Sequence, residues 1–274
     1  MRYMSKLAHD QASSRIYLMD FHSEDFPHII PYLDQEALKN NFTKIFAKVP
    51  ATYLPSFINA GYETEAWIPG FYNNTTDAFF IAKYFSADRR LPEKEAMEAF
   101  QQLLFQQTPS FKTGSAKGYF LKTLGEEEVF NMTKLFKKVF LSYPFPIFDT
   151  DYLVKSMRAE SRYFGVFYSG ELVALSSAEY NHRYQHAEMT DFAVSTEHRG
   201  RKLALRLLNF MEQELGQTGC QTFYTIARLQ SLPMNKVFMN LGYSYCGTLV
   251  NNTQIAGNIE SMNVWYKKTN QRNQ

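Results

Sequence analysis

The chain has 274 residues, 45% of them hydrophobic, enough for one large domain or two modest ones with a sizeable core. Lys and Arg number 29 against 27 Asp and Glu, a net charge of +2. That balance excludes the broad basic face of a nucleic-acid or anionic-membrane binder and confines any anion site to a local cluster. Cys220 and Cys246 are too few for a disulfide framework or a zinc site, and neither a secretory leader nor a bilayer-length apolar run is present, so a cytoplasmic protein with no metal is expected.

Residues 1–14 read as a frayed start. Arg15–Met19 and Thr43–Val49 read as strands, Tyr53–Ala60 as a short helix stopped by Gly61, and Tyr62–Pro69 and Ala78–Phe85 as strands joined across Asn73-Asn74. Pro92–Gln107 is helical, with Ala96, Met97, Phe100, Leu103 and Leu104 on one stripe. Thr108–Gly118 is rich in turn formers and marks a boundary between a region 1–117 and a domain 118–274. In the second part Tyr119–Leu124 is a strand, and Glu126–Phe140 and Thr150–Arg158 are helices. Tyr163–Tyr168 and Leu172–Tyr180 form a hairpin across Ser169-Gly170, and Ala187–Val194 is the next strand. A helix Leu203–Leu215 ends at Gly216; then come a strand Thr222–Ala227, a helix Pro233–Asn240 and a hairpin of Tyr243–Val250 with Met262–Lys267. The class is α+β, a three-layer α/β arrangement.

Phe57-Ile-Asn-Ala-Gly61-Tyr62 echoes Phe238-Met-Asn-Leu-Gly242-Tyr243, and each precedes a strand and an Asn-Asn pair. Two readings stay open: a degenerate copy of the later fold in the N-terminal region, or two independent helix C-caps followed by a packing aromatic.

The chemistry concentrates in Ala187–Leu208, a strand, a loop dense in positive charge and an amphipathic helix. A helix start offers unpaired N–H groups and the positive end of the dipole, so Lys202, Leu203, Ala204 and Leu205, flanked by Arg199, Gly200 and Arg201, form a candidate diphosphate cradle. A solvated basic turn is the plain alternative; the position between a strand ending at Val194 and that helix favours the cradle. A carboxylate on a strand that leads into an anion cradle is placed to take a proton from a reacting group. Glu188 and Asp191 on the strand are the candidate bases, with Glu188 preferred. His182 and His186 flank a turn and give no metal spacing.

Arg199 to Ala204 resembles the pyrophosphate loop of the GNAT acyl-CoA N-acetyltransferases, Arg/Gln-x-x-Gly-x-Gly/Ala, with Lys202 where the family usually has glycine. The order β-α-α-β-β-β-α-β-α-β-β from residue 119 onward is the GNAT order. The resemblance implies acetyl-CoA as co-substrate, two strands that part to admit its pantetheine arm, and contacts from Phe192, Ala193 and Val194. It also directs attention to Phe238, which stands where many members carry a thiolate-protonating tyrosine, and to Ser231, often asparagine in the family. Ser231, Asn235 and Tyr224 are the alternative donors.

Met189-Thr-Asp-Phe-Ala193, Tyr224-Thr-Ile-Ala-Arg228, Glu260-Ser-Met-Asn-Val-Trp-Tyr266 and Gly61-Tyr-Glu-Thr-Glu-Ala-Trp-Ile-Pro-Gly-Phe71 resemble the β-lysine N-acetyltransferases more narrowly. That group is implied to acetylate the terminal amine of β-lysine, giving a zwitterionic compatible solute used in osmoadaptation. A free amino acid calls for a cation, for which Arg228, Arg162 and Arg183 are candidates, and an acid for the retained ammonium, for which Asp191, Glu179 and Glu260 are candidates, with Asn251, Asn252 and Asn263 as neutral partners. The polar density of Asn251–Trp265 exceeds what a hairpin requires for folding. Another small amine or a protein lysine as acceptor, a non-catalytic acyl-CoA sensor, and a homodimeric state all stay open; nucleic acid and membrane are not expected partners.

Overall fold

The computed structural model describes residues 3–106 and 117–269, whose contacts divide into two units. The first takes the stretch ending at Gln102 together with Arg228–Gln230 and Cys246–Val264. The second takes described residues of Leu103–Ala227, Ser231–Tyr245 and the stretch from Trp265.

In the first unit β1 (Lys6–Asp10) pairs antiparallel with β2 (Arg15–Asp20), so the expected frayed start is in fact a strand. Its mixed sequence lacks a clean alternation, and pairing with β2 decides its conformation. Helix α1 (Ile29–Lys39) went unrecognised in the sequence, although Ile29, Ile30, Leu33 and Ala37 give it one buried stripe. It crosses over to β3 (Lys44–Pro50), which runs parallel to β2 from Arg15↔Lys44 to Leu18↔Ala47. After α2 (Leu54–Asn59), the hairpin β4 (Glu63–Tyr72) and β5 (Thr76–Tyr84) turns at Asn73 and Asn74, both at positive φ as a type I′ turn requires. Helix α3 (Lys94–Leu104) follows. Ile16, Leu18, Leu33, Ile45, Val49, Phe57 and Ile81 form the core under α1 and α2.

In the second unit β6 (Tyr119–Leu124), α4 (Val129–Val139), α5 (Thr150–Arg158), β7 (Ser161–Tyr168), β8 (Glu171–Asn181) and β9 (His186–Val194) follow the expected order. Asp149 caps α5 by accepting from the N–H groups of Asp151 and Tyr152. Helix α6 (Leu203–Gly216) buries Leu203, Leu207, Leu208, Met211 and Leu215, and leads to β10 (Thr222–Arg228) and α7 (Leu232–Asn240). The closing strands are β11 (Ser244–Ile255) and β12 (Asn258–Lys268), both longer than the sequence indicated and divided between the two units. Met132, Leu135, Phe136, Leu153, Leu175 and Ala193 make the core between α4, α5 and the sheet.

The path β1-β2-α1-β3-α2-β4-β5 has strand order β1-β2-β3-β5-β4; the path β8-β9-α6-β10-α7-β11-β12 has order β8-β9-β10-β12-β11. The connectivity is the same. The two aromatic echoes also match in detail. Tyr62 N donates to Phe57 O and Tyr243 N to Phe238 O, each at 3.1 Å, across glycines at φ 88 and 79. The loop before α1 differs from the one before α6. It carries Glu24 and Asp25, and Asp25 accepts from the N–H groups of Met4 and Ser5.

Candidate active site

Strands β9 and β10 are parallel in register only at His186↔Thr222, Ala187↔Phe223 and Glu188↔Tyr224. β9 runs on to Val194 and β10 to Arg228 without further register pairs among the described residues, so the strands part beyond Glu188. Glu188 therefore stands, half-buried, at the apex of the gap. Its antiparallel partner on β8 is another acid, Glu179, a juxtaposition that sheet stability alone disfavours.

Just past the apex β9 bulges. Leu175 pairs with Ala193 and Ser177 with Thr190, which leaves Asp191 and Phe192 opposite Ser176 alone. Asp191 takes φ 56, a left-handed conformation that Asp tolerates. Its Oδ1 accepts from the Tyr143 hydroxyl and its Oδ2 from the Ser177 hydroxyl, each at 2.5 Å. Burial raises the Asp191 pKa, and the hydrogen bonds from Ser177 and Tyr143 oppose that rise. Burial and then the charge of Asp191 push the Tyr143 hydroxyl well up, so it stays protonated as a donor.

The Phe192 ring meets Phe238 edge-on at 5.7 Å, and Phe238 meets Tyr243 at 5.2 Å. Phe238 is buried, a packing residue with no proton to donate. Asn235 is fully buried; its Oδ1 accepts from Trp265 Nε1 and its Nδ2 donates to Ser231 O, both at 2.9 Å, so its amide braces α7. The Ser231 side chain makes no capping bond. Tyr224 is buried with its ring 5.7 Å from that of His186.

The loop after Val194 opens onto the start of α6. No side chain caps that helix, and Arg206 N is bonded to Lys202 O, so the amides of Leu203, Ala204 and Leu205 are the ones a helix start leaves for an external acceptor. Gly200 sits at φ 75, and a Cβ there would meet nothing within 4 Å. Arg199, Arg201 and Lys202 are exposed around it. These features fit a diphosphate. Lys202, which stands where the family usually has glycine, adopts the left-handed conformation that glycine favours, φ 58, ψ 28. An L side chain there costs roughly 1–2 kcal/mol. The loop's other end is tied down by Glu197, which accepts from Ser195 Oγ at 2.5 Å and from Lys138 of α4 at 3.0 Å. The Ser195 bond leads the effects that lower Glu197 to about 2.

The closing hairpin uses most of its polar groups in folding, against the expectation of a surplus. Asn251 Nδ2 donates to Arg89 O and Leu91 O, Ser261 Oγ bonds Glu93 and the Asn251 amide, and Thr253 Oγ1 accepts from Arg15. Asn263 is fully buried and accepts from Thr248 at 2.7 Å. Asn252 is buried, and its Oδ1 has no protein partner among the described residues. Arg228 grips Glu260 in a fork, Nε to Oε2 at 2.8 Å and Nη2 to Oε1 at 2.7 Å; the carboxylate is 4% exposed and the guanidinium 44%.

The Acetyltransferase (GNAT) family model matches residues 128–243. The Beta-lysine N(6)-acetyltransferase of Methanococcus maripaludis is 37% identical over 257 residues, covering 93% of each chain. The N-acetyltransferase YodP of Bacillus subtilis is 30% identical over 96% of this chain and 95% of its own. A Beta-lysine N(6)-acetyltransferase of Methanosarcina mazei is 32% identical over 56% of this chain and 57% of its own. This chain belongs to the GNAT acetyltransferase family. It is an N-acetyltransferase, and the family's co-substrate is acetyl-CoA.

The splayed strands β9 and β10, the β9 bulge and the uncapped α6 all lie within the 128–243 stretch that the family model matches. Two residues of this candidate site were not singled out from the sequence. Tyr143 lay in a Pro-rich loop, and Ser177 was one of many small residues on β8; only their contact with Asp191 marks them. Among the described residues no helix is long and apolar enough to cross a membrane.

Proposed function

We propose that this chain transfers the acetyl group of acetyl-CoA to the terminal (ε) amine of β-lysine, forming N-acetyl-β-lysine. The observation that carries the acceptor is the likeness to the Methanococcus maripaludis enzyme over 93% of both chains, well beyond the 128–243 stretch that the family shares. The functional division taken is 1–117 and 118–274, with the chemistry in the second part.

Glu188, at the apex of the gap, takes the proton from the acceptor ammonium and frees its lone pair. The amides of Leu203 to Leu205, with Arg199, Arg201 and Lys202, hold the diphosphate, and the β9 backbone from Phe192 to Val194 lines the gap for the pantetheine arm. Acetyl-CoA supplies a thioester whose leaving thiol, with a pKa of roughly 8.5, departs without a protein acid. Phe238 is compatible with that, since its ring has no proton to give.

The test is thiol release by the purified chain with acetyl-CoA across β-lysine, α-lysine, spermidine and a lysine-containing peptide. β-Lysine is expected to give the highest kcat/KM. Preference for the peptide or spermidine would replace the acceptor in this reading.

A further inference from the structure

The loop between α4 and α5 presents Leu141 and Phe145 to solvent but turns Tyr143 inward onto the β9 bulge. There its hydroxyl and that of Ser177 each hold one oxygen of Asp191 at 2.5 Å. A brace for the fold does not require this arrangement. Phe140 already packs on Phe136 and Tyr143 by ring contacts, and Ser176 Oγ bonds Thr190 O at 2.5 Å across the bulge. What the two hydroxyls add is a fixed carboxylate. Oδ1 also accepts from the Thr190 hydroxyl at 3.5 Å, so Oδ2, with Ser177 as its one hydroxyl donor, is the oxygen that keeps a further lone pair, three positions along β9 from Glu188. The two acids therefore have separate environments. Glu188 is at the strand junction, while Asp191 is clamped by neutral donors that hold its charge in one direction.

We infer that Tyr143 is a positioning residue for the acceptor: with Ser177 it holds Asp191 so that this carboxylate receives a second ammonium group of the acceptor, the one that is not acetylated. The inference rests on the reading of β-lysine as acceptor and Glu188 as base. It assigns the site a specificity for diamino substrates over monoamines of the same length. Deprotonation at one nitrogen and charge retention at the other are then divided between Glu188 and Asp191.

The experiment compares β-lysine with 6-aminohexanoate, which has the terminal amine and the carboxylate but lacks the second ammonium group. Wild type is assayed first by thiol release. No turnover of β-lysine would defeat the underlying reading, whereas equal kcat/KM on the two acceptors would defeat this inference alone. In Tyr143→Phe the KM for β-lysine is expected to rise roughly tenfold, the worth of one hydrogen bond to a charged group. The KM for acetyl-CoA and the kinetics on 6-aminohexanoate are expected to stay within about twofold, the latter because that substrate makes no use of Asp191. Ser177→Ala is expected to shift the same ratio in the same direction, and serves alone if the tyrosine variant does not fold. Equal weakening of both acceptors, a parallel rise in the KM for acetyl-CoA, or no change in either variant would overturn the inference.

Discussion

Replacing Gly247 by alanine tests how the closing hairpin is held. Gly247 pairs with Ala66 of β4 at φ 145, and a Cβ there would lie 2.0 Å from Glu65 O and 2.7 Å from Ala66 Cα, both backbone atoms. Since ordinary Cβ contacts begin near 3.4 Å, β11 must retreat from β4 by more than 1 Å. That retreat stretches two bonds made to Val250, whose amide donates to Glu65 at 2.7 Å and whose carbonyl accepts from Lys44 at 2.7 Å. Lys44 is fully buried, and burial lowers its pKa to about 8 against the pull of Glu65, so its ammonium depends on these acceptors. Two charge-assisted bonds at about 1.5–3 kcal/mol each set a loss of roughly 3–6 kcal/mol. For a chain of this size that corresponds to a fall in Tm of roughly 6–15 °C, read by circular dichroism. Gly216→Ala is the control, because a Cβ there meets nothing within 4 Å; its Tm should move by less than about 2 °C. If Gly247→Ala melts within about 2 °C of wild type, the close approach of β11 to β4 is not what orders the hairpin.

Two further substitutions have defined outcomes. Glu188→Gln should lower kcat/KM at pH 7 by roughly 10²–10⁴. Its deficit should shrink towards pH 10, as the amine with pKa ~10.4 loses its proton unaided; an unchanged rate at neutral pH would remove Glu188 from the mechanism. Lys202→Gly should hold or raise Tm by relieving a left-handed lysine, while titration calorimetry finds acetyl-CoA bound roughly three- to tenfold more weakly. A lower Tm with unaltered affinity would contradict both assignments.

The strand, loop and helix from Ala187 to Leu208 were legible because their signals are local: an apolar run, clustered charge and a helical stripe within about twenty residues. The type I′ turns at Asn73-Asn74 and Ser169-Gly170 and the glycine caps at Gly61 and Gly242 were legible for the same reason. The unread elements depend on distant partners. β1 is a strand because β2 lies beside it. The polar residues of 251–263 looked like a binding surface, yet Arg15, Arg89 and Glu93, far away in sequence, claim several of them. The clamp on Asp191 was invisible because it joins positions 143, 177 and 191 through a bulge that no local pattern announces.

Acetyl transfer to β-lysine must select one of its two nitrogens. The most direct measurement is the NMR spectrum of the product formed by the purified chain from acetyl-CoA and β-lysine. A single product is expected, acetylated at the terminal nitrogen and carrying a free amine at the β position. Acetylation at the β-nitrogen, or no product from β-lysine while another amine is consumed, would contradict it.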